Sequence, residues 1–379
     1  MRRHATMMPD DPVLSASRRR RRIRLLASAV GSVLGVLTSL YSAEVRELLE
    51  ASLRGVSTFA VPFLLTAAVA SVSTLLVYEG ATRRRQPAAI EPGKIAIGPE
   101  VISQIIGEGE QVAGRSLRYL EARRHTDQLV VLLHGLGLDA HDFRPYLVES
   151  SQHCVAVTQY GFNTIERAHP HYSPISLESH AHLLCYALQR IHRAYPRKQL
   201  CLVGFSFGAD MLLYLAEHHP AVLAGLPVRQ TILLDPNINN TTTTISARIA
   251  GVSSDTSLRE LVSILRTAKT SLEFRYLCAY LSKITSKNFA HVRRFAREMS
   301  DRYRDSSLEP FIGRLADLLR ITDQVEVVLS LNHESVFNRL VPAAAAAGLD
   351  VSQLTCSRTD HFELITPAFL TRMLDRRQE

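Results

Sequence analysis

The chain is predicted to be an α/β protein: a mostly parallel, twisted sheet flanked by helices, with a helical insertion and a two-helix transmembrane hairpin in front. Three observations carry this prediction. From about residue 98 onward, short apolar runs alternate with stretches of helical spacing, the pattern of βαβ units. Between two of those runs lie roughly 90 residues, 237–324, with no strong strand signal. Two long uncharged stretches precede all of this.

The strands are read from their periodicity. Residues 117–121 alternate like a strand with one exposed face. Leu129-Val-Val-Leu-Leu133 is a continuous apolar run, suited to a strand covered on both faces, and 154–157 is another. Residues 176–195 carry Leu177, His180, Leu184, Ala187, Leu188 and Ile191 at helical spacing. Further strands are expected at 200–203, 231–234, 325–329 and 351–355, and a last helix at 367–376. The interval 237–324 opens with a turn-rich Asn/Thr tract and continues in helix-like stretches at 256–268, 270–285, 288–303 and 308–320. It is far longer than a crossover helix needs, so it reads as a helical cap over the sheet's carboxyl edge.

The N-terminal stretches fit a membrane. Residues 1–24 are expected to be a basic, disordered tail ending in an arginine run, 18–22 and Arg24. Residues 25–43 and 55–78 are free of charge, and at 1.5 Å per residue each spans a hydrocarbon core of about 30 Å. Arginines flank the outer end of each stretch, Arg83–Arg85 after the second. By the positive-inside tendency both ends face the cytoplasm, which makes 25–82 a two-span hairpin and places the domain 98–379 there too. A twin-arginine export signal is the competing reading and would move everything outward. Residues 83–97, with Pro87, Pro92 and Gly93, read as a linker.

Charge excludes one class of function. The net charge is +8, but residues 1–94 hold 14 of the 44 Lys/Arg and only 7 of the 36 Asp/Glu. The main domain is therefore close to neutral, and nucleic acid is not an expected partner. The five cysteines are scattered and without C-x-x-C spacing, which argues for buried thiols rather than a zinc site or disulfides. No cofactor or metal is expected.

One pentapeptide carries chemistry. Gly204-Phe205-Ser206-Phe207-Gly208 stands between the run 199–203 and a helical stretch beginning at Ala209. A strand-to-helix turn of this kind exposes a serine hydroxyl, and the small neighbours let the two chain arms pass closely. Acyl transfer by serine also needs a base, an acid to orient it and donors for an oxyanion. His134-Gly135-Leu136-Gly137 follows a strand, and its glycines let the Leu136 amide join that of Phe207 as oxyanion donors, His134 steadying the loop. His361, in Thr359-Asp-His-Phe362, follows the last strand and is the first choice of base, ahead of His333, His169 and His171. For the acid, Glu334 ranks ahead of Asp235, and Asp360 comes last.

The strand–HGLG, strand–GFSFG–helix and terminal D-H-F segments, in the order serine, acid, histidine, resemble the α/β-hydrolase superfamily across about residues 115–379. The resemblance implies an eight-stranded sheet and a cap inserted after the sixth strand, where 237–324 falls. It also implies an acid after the seventh strand, favouring Glu334, although some members place it after the sixth, as Asp235 requires. The chain departs from the usual G-x-x-D there, having Leu331-Asn-His-Glu334. Its first two strands are ill defined, which points to an abbreviated start.

The expected activity is that of a membrane-anchored serine hydrolase cleaving a carboxylic ester or thioester of an apolar or lipid substrate. Phe143, Phe205 and Phe207 are candidates for an acyl pocket. Amide cleavage on the same fold and a catalytically silent scaffold are the alternatives.

Overall fold

A computed structural model describes residues 89–105, 107–163, 173–252 and 262–374. The basic tail, the hairpin 25–82, His169, His171 and residues 256–261 of the stretch 256–268 lie outside the described residues. Among the described residues, no helix is long and apolar enough to cross a membrane.

Eight strands form one sheet in the order β1-β2-β4-β3-β5-β6-β7-β8. They are β1 (Ile90–Ala96), β2 (Ser116–Ala122), β3 (Gln128–Leu133), β4 (His153–Thr158), β5 (Gln199–Phe205), β6 (Val228–Leu234), β7 (Gln324–Leu329) and β8 (Leu354–Cys356). β2 runs antiparallel to both its neighbours, and every other pairing is parallel. The continuous apolar runs explain the centre: Leu129–Leu133 and Leu200–Val203 are fully buried because strands flank them and helices cover them.

The helices used below are α1 (Arg144–Glu149), α2 (Leu177–Ala194), α3 (Phe207–His218), α4 (Thr244–Gly251), α5 (Ser271–Ser286), α6 (Phe289–Arg302), α7 (Glu309–Leu319), α8 (Glu334–Ala346) and α9 (Pro367–Leu374). Helix α1 packs on α9, while α3 packs on α2 and α7. Ser176 caps α2, accepting from the Ser179 amide, and Thr270 caps α5 in the same way through Glu273. Helices α4 to α7 all lie between β6 and β7.

Three expectations need correction. Residues 90–96 are not linker but the edge strand β1, so the sheet is not abbreviated. Pro92 and Gly93 masked it, yet an edge strand tolerates proline because one row of its amides faces away from the ladder. The glycine has a use, since a Cβ there would sit 2.1 Å from the Tyr119 ring that lies across it. The strand expected at 351–355 is shifted, with a short 3₁₀ turn at Val351–Gln353 before β8. The Asn/Thr tract ends in α4, a helix the turn-rich composition concealed.

Candidate active site

The turn at Ser206 is built by its neighbours. Ser206 has φ 50° and ψ −118°, a conformation that costs about 1–3 kcal/mol and persists only where the surroundings impose it. Its amide donates to the Leu234 carbonyl at 2.7 Å, extending the β5–β6 ladder into the turn. The flanking glycines are required sterically. A Cβ on Gly204 would meet the Ala209 amide nitrogen at 2.5 Å, and one on Gly208 the Leu133 carbonyl oxygen at 2.3 Å. Helix α3 starts at Phe207, so the amide of that residue, in the first helical position, is free of an intrahelical partner.

The second wall is the loop after β3. His134 is fully buried and neutral, with burial pushing its pKa down to about 4. Its Nδ1 lies 2.8 Å from the Gly135 carbonyl, and its Nε2 accepts from the Gln159 amide at 3.0 Å. Both ring nitrogens are thereby occupied in holding the loop. Gly137 takes φ 76°, which turns the chain sharply past Leu136. The insertion presses on this loop directly. A Cβ on Gly137 would come 2.8 Å from Ile284 of α5, Lys283 pairs with Asp142, and buried Lys287 pairs with Asp139. Asp139 and Asp142 also form a capping box on the 3₁₀ turn Ala140–Phe143. Lys287 helps hold the Asp139 carboxyl at about 2, against the upward pull of its burial.

His361 lies beyond β8, with its ring 4.6 Å from that of Phe205. Its Nδ1 is 2.6 Å from Oδ2 of Asp235, the residue directly after β6. Asp235 is fully buried and has φ 51°, a second non-glycine residue in the left-handed region. Its Oδ1 accepts from the Ser330 amide at 2.8 Å, and its Oδ2 accepts from the Ser330 hydroxyl at 2.6 Å. His333 Nε2 stands 3.7 Å from the same Oδ2. Burial by itself raises the Asp235 pKa, but His333, His361 and Ser330 together outweigh it and hold the carboxyl at about 2. The group that receives His361 is thus an anion.

This geometry corrects the ranking of acids. Glu334 is exposed in the first turn of α8, where a carboxylate complements the positive end of the helix. Asp360 accepts from the Phe362 and Glu363 amides and caps the turn Phe362–Ile365. Asp235 takes the position because β6 is the direct neighbour of β5 and Leu234 pairs with Phe205. The expected aromatic pocket is corrected as well. Phe205 lines the cavity, but Phe143 and Phe207 are buried in the core, Phe207 against Phe162 and Phe295.

A cavity of about 450 Å³ opens over these groups. Ser206, Asp235 and His361 lie on its floor with Gly135 and Leu136, and α4 and α5 contribute its roof. Leu138, Leu277, Tyr280 and Phe362 supply apolar wall, while Asn240, Thr241, Arg248 and Lys269 make the rest polar. Residues that sequence reasoning missed support the site from behind. Asp210 of α3 accepts from the Asn237 amide and side chain and from Tyr303, tying the elbow helix to the insertion. Ser330, just past β7, was not legible, because only the pairing of β7 beside β6 brings it to Asp235.

The arrangement brings the Ser206 hydroxyl, the His361 imidazole with its Asp235 carboxylate, and the Gly135–Leu136 loop to one cavity. Residues 130–376 match the model of the alpha/beta hydrolase family. A search of curated protein sequences returned no match. Solved structures resemble the chain in fold. One is a bacterial membrane phospholipase A, 15% identical over 85% of this chain and 99% of that one, with a TM-score of 0.45. Another is AqDC, which cleaves the ring of the Pseudomonas quinolone signal, 15% identical over 70% and 95%, with a TM-score of 0.50. A third is MenH from S. aureus, 17% identical over 69% and 99%, with a TM-score of 0.47. The sheet order and the extent of the family match lead to one conclusion: the chain belongs to the alpha/beta hydrolase family.

Proposed function

We propose that the protein is a serine hydrolase that cleaves a carboxylic ester or thioester through an acyl-enzyme. One observation carries the reading: a strained, cavity-facing Ser206 shares its cavity with a His361 whose Nδ1 is 2.6 Å from the ionised Asp235. Ser206 Oγ attacks the carbonyl carbon as His361 Nε2 takes its proton. The imidazolium is stabilised by Asp235, and the amides of Leu136 and Phe207 donate to the developing oxyanion. His361 then returns the proton to the leaving group, and a water repeats the sequence to free the acid. Each oxyanion donor contributes about 2.7–4 kcal/mol in such a transition state.

The substrate in this reading is amphiphilic. The apolar wall of Leu138, Leu277, Tyr280 and Phe362 suits an acyl chain, and the Asn/Thr-lined side with Arg248 and Lys269 suits a polar head. Anchoring by residues 25–43 and 55–78 on the cytoplasmic face would keep that cavity beside lipid. The test is labelling of the full chain with a fluorophosphonate probe, followed by profiling against lipid esters and thioesters. Wild type is expected to label and turn over, and Ser206→Ala to do neither. Equal labelling of the two would refute the mechanism.

A further inference from the structure

A second cluster lies away from the cavity, where the start of α2 meets the end of α3. Glu178 and His182 are one turn apart on α2, and His219 is the residue that caps α3. Glu178 Oε1 is 3.3 Å from His182 Nε2 and 3.2 Å from His219 Nε2. One ligand atom from each of the three residues lies within 4.8 Å of the others. The His219 Nε2 atom is buried, and despite its nearness to Glu178 it has no hydrogen-bond partner among the described residues. The three groups therefore place one possible ligand atom each around a common space.

We propose that this cluster is a binding site for a divalent cation of the zinc type. Bonds of about 2.0–2.1 Å at tetrahedral angles separate neighbouring ligand atoms by about 3.3–3.4 Å. The two Glu178–histidine separations are 3.3 and 3.2 Å, and the two imidazoles offer nitrogens within 4.8 Å of each other. Two imidazoles and one carboxylate form a donor set that suits zinc, with the fourth position left for water. Glu178 is half exposed, so that position opens to solvent. The support a ligand carboxylate needs is also present, since the Tyr214 hydroxyl donates to Glu178 Oε2 at 2.6 Å. The residues come from different parts of the chain, which is why no metal was expected from sequence spacing.

The ion would pin the start of α2 to the end of α3. Helix α3 has 12 residues, so at 1.5 Å per residue the site lies about 18 Å from Ser206 along it. The bound cation is therefore structural and takes no part in hydrolysis. It stabilises the fold by mass action, binding the folded state in preference to the unfolded one.

The test uses the untagged full chain, dialysed against zinc and then against buffer. Wild type is expected to retain one zinc ion per chain and to melt at higher temperature with zinc than with chelator. His182→Ala and His219→Ala lose that ion, and Tyr214→Phe weakens binding by about 10–100-fold. Cobalt(II) loading should give the visible absorption of a four-coordinate site in wild type only. Far-UV circular dichroism verifies that the histidine variants fold. Glu178→Gln, altered at a half-exposed side chain, is the alternative if they do not. Absence of zinc from wild type, or equal retention by all variants, overturns the site. Loss of esterase turnover on chelation, at a temperature where circular dichroism shows the chelated protein still folded, overturns its structural role.

Discussion

Asp235 reaches His361 across 126 residues of chain, Oδ2 to Nδ1 at 2.6 Å, while Glu334, far nearer in sequence, stays in solvent. The pair depends on sheet order. The ends of β5 and β6 are adjacent, so an acid at the end of β6 lies one strand from the elbow.

Asp235→Asn should lower kcat by about 10⁴-fold, because the amide favours the wrong imidazole tautomer. Glu334→Gln should leave kcat within about twofold, as expected of an exposed surface change. Steady-state hydrolysis of a nitrophenyl ester decides between them, and the reverse ranking would restore Glu334.

Gly208→Ala tests the elbow. Its Cβ would lie 2.3 Å from a backbone oxygen, a clash that only backbone movement relieves. We expect a loss of about 1–3 kcal/mol in urea unfolding, together with loss of fluorophosphonate labelling.

The Asp139–Lys287 pair should hold the insertion to the oxyanion loop. Lys287 is buried, so Asp139→Asn leaves an unpaired buried ammonium and should cost about 3–5 kcal/mol. The folded pKa of Asp139 is about 2, below the unfolded value of about 3.9. Its stabilisation is thus complete above about pH 4 and lost as pH falls toward 2. Unfolding free energies of wild type and variant should converge over that window.

Asp210 has the opposite sign. Burial raises its folded pKa to about 6, above the unfolded value of about 3.9. Folding therefore favours the protonated acid, whose contribution is full below about pH 4 and falls as pH rises through 6. Asp210→Asn should flatten the stability profile between pH 4 and 7. An unchanged slope in thermal melts would show that the carboxyl titrates normally.

The hairpin makes a prediction of its own. A reporter fused after residue 379 should be active in the cytoplasm and sediment with membranes, and deletion of residues 25–78 should release it. Periplasmic or luminal activity would reverse the orientation.

Much of the fold was legible in local pattern. The apolar runs at 129–133 and 200–203 are buried strands, and the Ser206 turn lies between strand and helix as its residues require. Such features depend on neighbours within a few positions, so residue type and spacing suffice to reveal them. The edge strand β1 was not legible, because its pairing with β2 overrides the weak strand preference of Pro92 and Gly93.

By itself, then, the sequence determined the α/β class, the serine in its glycine-flanked turn and the terminal histidine. Tertiary structure alone decided which acid meets that histidine, which phenylalanines reach the cavity, and that Glu178, His182 and His219 converge. Those outcomes turn on strand order and helix packing, which join residues tens to hundreds of positions apart. Spacing along the chain holds no record of such distances until the sheet is formed.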